Sequence, residues 1–226
     1  MTSSRSTFPP LPPNPPEPPQ PRRSPWLPEP RPTPAGAASA SAALVVGGGD
    51  WLAERLLEQR VVTLSGELDT DAVNRAVAEL ALLDATGDEP VRLRLSGVGV
   101  DLEGALTLVD ALDLVGVPVH ATSLCTLSGP AVAVLAVADR RVTGAHAMVR
   151  LCEPRAPRGV PGYGVEAWAA EHARQLRRLQ ERLAVACGRP VDEVAADMRA
   201  GRLLDAEEAR AYGLADAAEP GPRPAP

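Results

Sequence analysis

Few side chains among these 226 residues could carry chemistry, and their types narrow it before any element is assigned. There is no lysine, so all 23 basic residues are arginine. That excludes phosphate-loop, Schiff-base, pyridoxal-phosphate and Ser-Lys chemistry, each of which needs a lysine amine. The three cysteines, Cys125, Cys152 and Cys187, are odd in number and lack CxxC spacing. Neither a disulfide framework nor a metal site is expected, and no cofactor is required. Only three imidazoles exist, on His120, His146 and His172. Glycines stand where strand-like runs meet helix-like ones, in Ser96-Gly97-Val98-Gly99 and Ser128-Gly129-Pro130. Such positions let backbone approach another group closely.

The elements that must position these groups lie in the middle of the chain. Of 25 prolines, 14 fall in the first 34 residues and 4 in the last 7. Residues 1–47 therefore read as a disordered Pro-rich tail and small-residue linker, 48–218 as one folded domain and 219–226 as a C-terminal tail. From residue 50 the pattern alternates. A helix over WLAERLLEQR, with Asp50 as N-cap, precedes a strand over RVVTLSGEL and a helix over DTDAVNRAVAELALLDATGD. VRLRLSG is a strand, followed by a glycine turn and the helix DLEGALTLVDALDLV. VPVHATSL is a strand, GPAVAVLAVAD a buried helix and RRVTGAHAMVRLCE one or two strands. A long helix from Val165 to Cys187 and two short ones, PVDEVAADMRAG and DAEEARAYG, complete the domain. Strands alternating with helices predict a layered α/β fold with a largely parallel sheet. A net charge of −6 with no basic stripe argues against a nucleic-acid partner. No signal segment or membrane span is read, so a cytoplasmic location is expected.

The order of elements and several strings resemble the proteolytic subunit of the Clp protease (ClpP), of the crotonase-like fold group. ERLLEQRVVTLSGELD is similar to that family's opening helix and first strand. VRLRLSGVGVDLEGALTLVDAL sits where the family has a strand, a Ser-Pro-Gly-Gly turn and a helix. CGRPVDEVAADMRAGRLLDAEEARAYGLADAA resembles its C-terminal stretch. The resemblance implies repeated strand–helix units and a Ser-His-Asp serine peptidase working in a two-ring barrel fed by an unfolding ATPase.

Carried over residue by residue, it implies a damaged site. Asp197 falls on the catalytic aspartate. Cys152, in Cys-Glu-Pro, stands at the histidine of the family's His-Gln-Pro, and a thiol lacks the ring nitrogen that shuttles a proton. His146 lies six residues earlier on the same strand face, ~20 Å away at ~3.3 Å per residue. The nucleophile has two registers. Without a gap it falls on Gly129, followed by Pro130, which has no N–H for an oxyanion. Shifted by one, Ser128 is the nucleophile and the Gly129 N–H an oxyanion donor. Gly99 of Gly97-Val98-Gly99 matches the second oxyanion glycine.

Three readings follow. The first is a ClpP-like subunit that has lost catalysis and serves as a structural or regulatory member of a homo- or hetero-oligomeric ring. The second is an active serine endopeptidase using Ser128 with another base. The third is an acyl-CoA enzyme holding a thioester oxygen on the Gly99 and Gly129 N–H groups, with Glu103 and Glu153 the only nearby glutamates. A Clp ATPase partner finds no aromatic-lined docking pocket, since only Trp51, Tyr163, Trp168 and Tyr212 are aromatic in the folded part. The inter-ring handle would be PRAPRGVPGYGVEA, whose prolines and glycines disfavour a regular strand.

Overall fold

Aspartates start three of the helices, and strand–helix alternation does the rest. The computed structural model describes residues 51–154 and 164–218. A helix over 51–58 (α1) leads to β1 (Val61–Leu68). Asp69 then accepts the Ala72 N–H at 2.8 Å and opens α2 (Thr70–Thr86). Asp101 does the same for α3 (Leu102–Leu114), taking the Gly104 N–H after β2 (Val91–Val100). Strands β3 (Val119–Leu124) and β4 (Thr126–Ser128) precede α4 (Ala131–Ala136), then β5 (Arg140–Thr143) and β6 (Met148–Arg150). The C-terminal part comprises α5 (Val165–Cys187), α6 (Val191–Ala200), β7 (Leu203–Leu204), α7 (Ala206–Tyr212) and β8 (Ala217–Ala218). Asp205 and Glu208 close a reciprocal capping box at α7. Caps of this kind are worth ~1 kcal/mol each.

The main sheet runs β1-β2-β3-β5-β8, every pair parallel, as expected for an α/β layered domain. A second sheet, β4-β6-β7, is parallel then antiparallel. Alternation along β2 puts Val91, Leu93 and Leu95 in the core and leaves Arg92 and Arg94 exposed. All six residues of α4 are buried. None of the helices among the described residues is long and apolar enough to cross a membrane.

Several expectations are corrected. The glycine turn at 97–99 is not a turn: β2 continues through Val100, bending at Gly97 (φ 60°) instead of stopping. Residues 144–147 break the strand expected to carry His146, with Ala147 N–H bonded to Gly144 O at 2.9 Å. Strands β4, β7 and β8 add to the expected elements, each only two or three residues long. The expected Asp50 cap, both tails and most of the handle lie outside the described residues.

One half-buried cation ties the helices to the sheet. Arg141, on β5, donates Nη1 to Ala186 O (3.1 Å) and Gly213 O (2.9 Å), with Ala136 O at 3.5 Å. These carbonyls belong to the C-terminal ends of α4, α5 and α7, where helix dipoles favour positive charge. Asp216 holds the same guanidinium, and that pairing keeps the Asp216 carboxyl below the ordinary aspartate range. Arg141→Met is expected to lower unfolding stability by ~3 kcal/mol in urea titration, because hydrogen bonds to charged groups are worth ~1.5–3 kcal/mol. A depressed carboxyl stabilises the fold above its unfolded pKa and ceases to do so as pH falls through the folded one. The stability gap between wild type and Asp216→Asn should therefore shrink below about pH 4.

Candidate functional site

The site forms where β4 ends. Ser128 pairs with Arg150 on β6, and the Gly129 N–H extends the ladder by donating to Arg150 O at 3.0 Å. Gly129 then takes φ 62°, a left-handed conformation natural to glycine, and turns the chain into α4. Pro130 precedes the first helical residue with φ −59° and brings no N–H.

This turn decides which residue faces Cys152. A Cβ built on Gly129 would lie 3.5 Å from Cys152 Sγ and 3.6 Å from its carbonyl oxygen. Position 129 is thus the one from which a side chain would address residue 152, and it has none. Ser128 is half-buried and lines the same cleft from the strand. The cleft, of about 240 Å³, brings together Gly99, Ser128, Gly129 and Cys152 among the expected site residues, with Glu67, Asp101, Arg150 and Glu153 around them. No histidine lines it. His172 stacks on Trp168 at 4.8 Å, and His146 is exposed in its turn.

Asp197 is not brought to the cleft. Its carboxylate accepts from Tyr212 Oη at 2.9 Å and from Arg202 Nη1 at 3.1 and 3.3 Å, joining α6 to α7. Burial and this acceptor raise the Tyr212 phenol well above its usual range, so the proton stays on the tyrosine. Arg189 lies over the Tyr212 ring at 4.0 Å, completing a structural cluster. Nothing in sequence spacing signalled this use of Asp197, since the Tyr212 hydroxyl reaches it only through the packing of two helices.

The expected oxyanion donors fare differently. The Gly129 N–H is committed to Arg150 O and is not available to a ligand. Gly99 lines the cleft, but the Glu67 carboxylate lies against it. The arrangement therefore holds a thiol, a strand serine and three carboxylates without an imidazole to move a proton between them.

The Clp protease family model matches residues 37–219. The chain is 31% identical over 170 residues to the ATP-dependent Clp protease proteolytic subunit 3 of Rhodococcus jostii (strain RHA1), covering 74% of this chain and 84% of that one. It is 33% identical over 178 residues to a putative ATP-dependent Clp protease proteolytic subunit-like protein of Streptomyces coelicolor, covering 76% and 84%. A third relative, the ATP-dependent Clp protease proteolytic subunit 2 of Nocardia farcinica (strain IFM 10152), is 27% identical over 181 residues, covering 78% and 88%.

The three thiols make the environment measurable. Cys125 is exposed, whereas burial pushes the Cys187 thiol up to about 11 against the opposing charges of Arg141 and Arg189. At pH 8, Cys187 should alkylate more slowly than the exposed Cys125, because burial disfavours its thiolate and the thiolate is the nucleophile. Peptide mapping after timed iodoacetamide exposure checks this; equal rates would contradict the packing around Arg141.

Proposed function

The chain belongs to the Clp protease family, and we propose that within it this is a subunit without peptidase activity of its own, serving as a structural or regulatory member of a ring. The observation that carries the reading is the glycine at position 129, directed at Cys152. A triad peptidase needs a nucleophile beside a base, with a carboxylate to orient that base. Here the position facing residue 152 has no side chain, and residue 152 has no ring nitrogen.

Two further features support it. Pro130 offers no N–H, and the Gly129 N–H is held in the β4–β6 ladder, so neither backbone group can stabilise an oxyanion. An oxyanion donor is worth ~2.7–4 kcal/mol, and loss of a nucleophile or base costs on the order of 10⁶ in turnover. Meanwhile the parallel sheet, the capped helices and the Arg141 contacts are intact. A fold retained while its chemistry is lost suits a subunit whose role is assembly with peptidase-competent members of the family in the cytoplasm.

The alternative that Ser128 is an active nucleophile requires a base within reach of its hydroxyl, and no histidine lines the cleft. Native mass spectrometry of this chain mixed with a peptidase-competent family member tests the proposal. Mixed rings are expected, with turnover of a fluorogenic peptide falling in proportion to the number of these chains incorporated. Absence of mixed rings, or peptide turnover by this chain alone, would overturn it.

A further inference from the structure

We propose that Glu67 is a built-in occupant of the cleft, filling the place against Gly99 where a bound peptide would put its carbonyl oxygen. The inference rests on the reading just given and on the resemblance to the Clp protease family, which implies that Gly99 stands on the acyl-oxygen side of the cleft. It adds a reason, independent of the missing nucleophile, why the cleft does not take a peptide.

The backbone aims Glu67 there. Ser65 pairs with Ser96 and Glu67 pairs with Gly99, so β2 advances one residue more than β1 across this interval. Gly66 (φ 72°) and Gly97 (φ 60°) absorb the irregularity. A bulge of this kind re-aims the side chains beside it. The result is that the carboxyl carbon and Oε2 of Glu67 both lie 2.5 Å from the point a Gly99 Cβ would occupy. Any residue other than glycine at 99 would expel the carboxylate. Gly99 thus makes room for Glu67, and the two line one cleft with Ser128, Gly129 and Cys152.

A carboxylate in that place excludes a peptide carbonyl twice over. It occupies the volume, and its charge opposes the partial negative charge of the approaching oxygen. Removing the side chain should open the cleft to an uncharged peptide, whereas removing the charge alone should open it less. Glu67 is exposed near the end of β1, so its substitution leaves the core untouched.

The test is a ligand-observed NMR titration of the full chain with the capped, uncharged peptide acetyl-Ala-Ala-Leu-Ala-amide, alongside the iodoacetamide reactivity of Cys152 as a local reporter. Glu67→Ala is expected to bind the peptide at least ten-fold more tightly than wild type, and the bound peptide to slow Cys152 alkylation. Glu67→Gln, which keeps the bulk, should fall between them. Equal affinity of wild type and Glu67→Ala, whether measurable or nil, overturns the proposal. So does binding that leaves the Cys152 rate unchanged, since the peptide would then lie elsewhere. Neither result bears on whether wild type turns over peptide, so this inference and the loss of catalysis fail separately.

Discussion

The hydrogen bond from the Gly129 N–H to Arg150 O fixes the rest of the site. It continues the β4–β6 ladder one residue beyond the strand, and in doing so sets the register Ser128↔Arg150. With that register in place, the chain must reverse at residue 129, and the left-handed φ there is one that glycine adopts without cost. The reversal delivers α4 into the core and aims position 129 at Cys152. A donor held in a ladder cannot also stabilise an oxyanion. One backbone bond therefore accounts for both the architecture of the turn and the engagement of the Gly129 N–H.

The wider framework does not depend on that chemistry. Arg141 gathers carbonyls from the C-terminal ends of α5 and α7, approaches that of α4, and is held by Asp216. Asp197, Tyr212, Arg189 and Arg202 form a second junction between α6 and α7. Both junctions are made from polar groups satisfied by one another, which specifies a single arrangement of the C-terminal helices. Neither needs a nucleophile or a base nearby.

Much of the fold was legible because its signals are local. Asp69, Asp101 and Asp205 cap helices within three residues of themselves, and the alternation in Val91-Arg92-Leu93-Arg94-Leu95 states which face is buried. The long helix Val165–Cys187 was read to its ends, since Gly188 stops it in a left-handed conformation. Short strands were not legible: Leu203–Leu204 and Ala217–Ala218 exist only because a partner strand is present. The extension of β2 through Gly97-Val98-Gly99 was missed for a related reason. Glycines there bend a strand whose pairing with β1 continues, and sequence alone reads them as a turn.

The site was legible by residue type and not by role. Gly99, Ser128, Gly129 and Cys152 do share one cleft, but the commitment of the Gly129 N–H, the engagement of Asp197 and the intrusion of Glu67 are tertiary facts. The measurement that bears most directly on the proposed loss of catalysis is the intact mass of the folded protein after exposure to a fluorophosphonate probe. An unmodified mass is expected, with no adduct on the peptide spanning Cys125 to Arg140. An adduct on Ser128 that vanishes in Ser128→Ala would contradict it, because a serine so labelled has a base beside it.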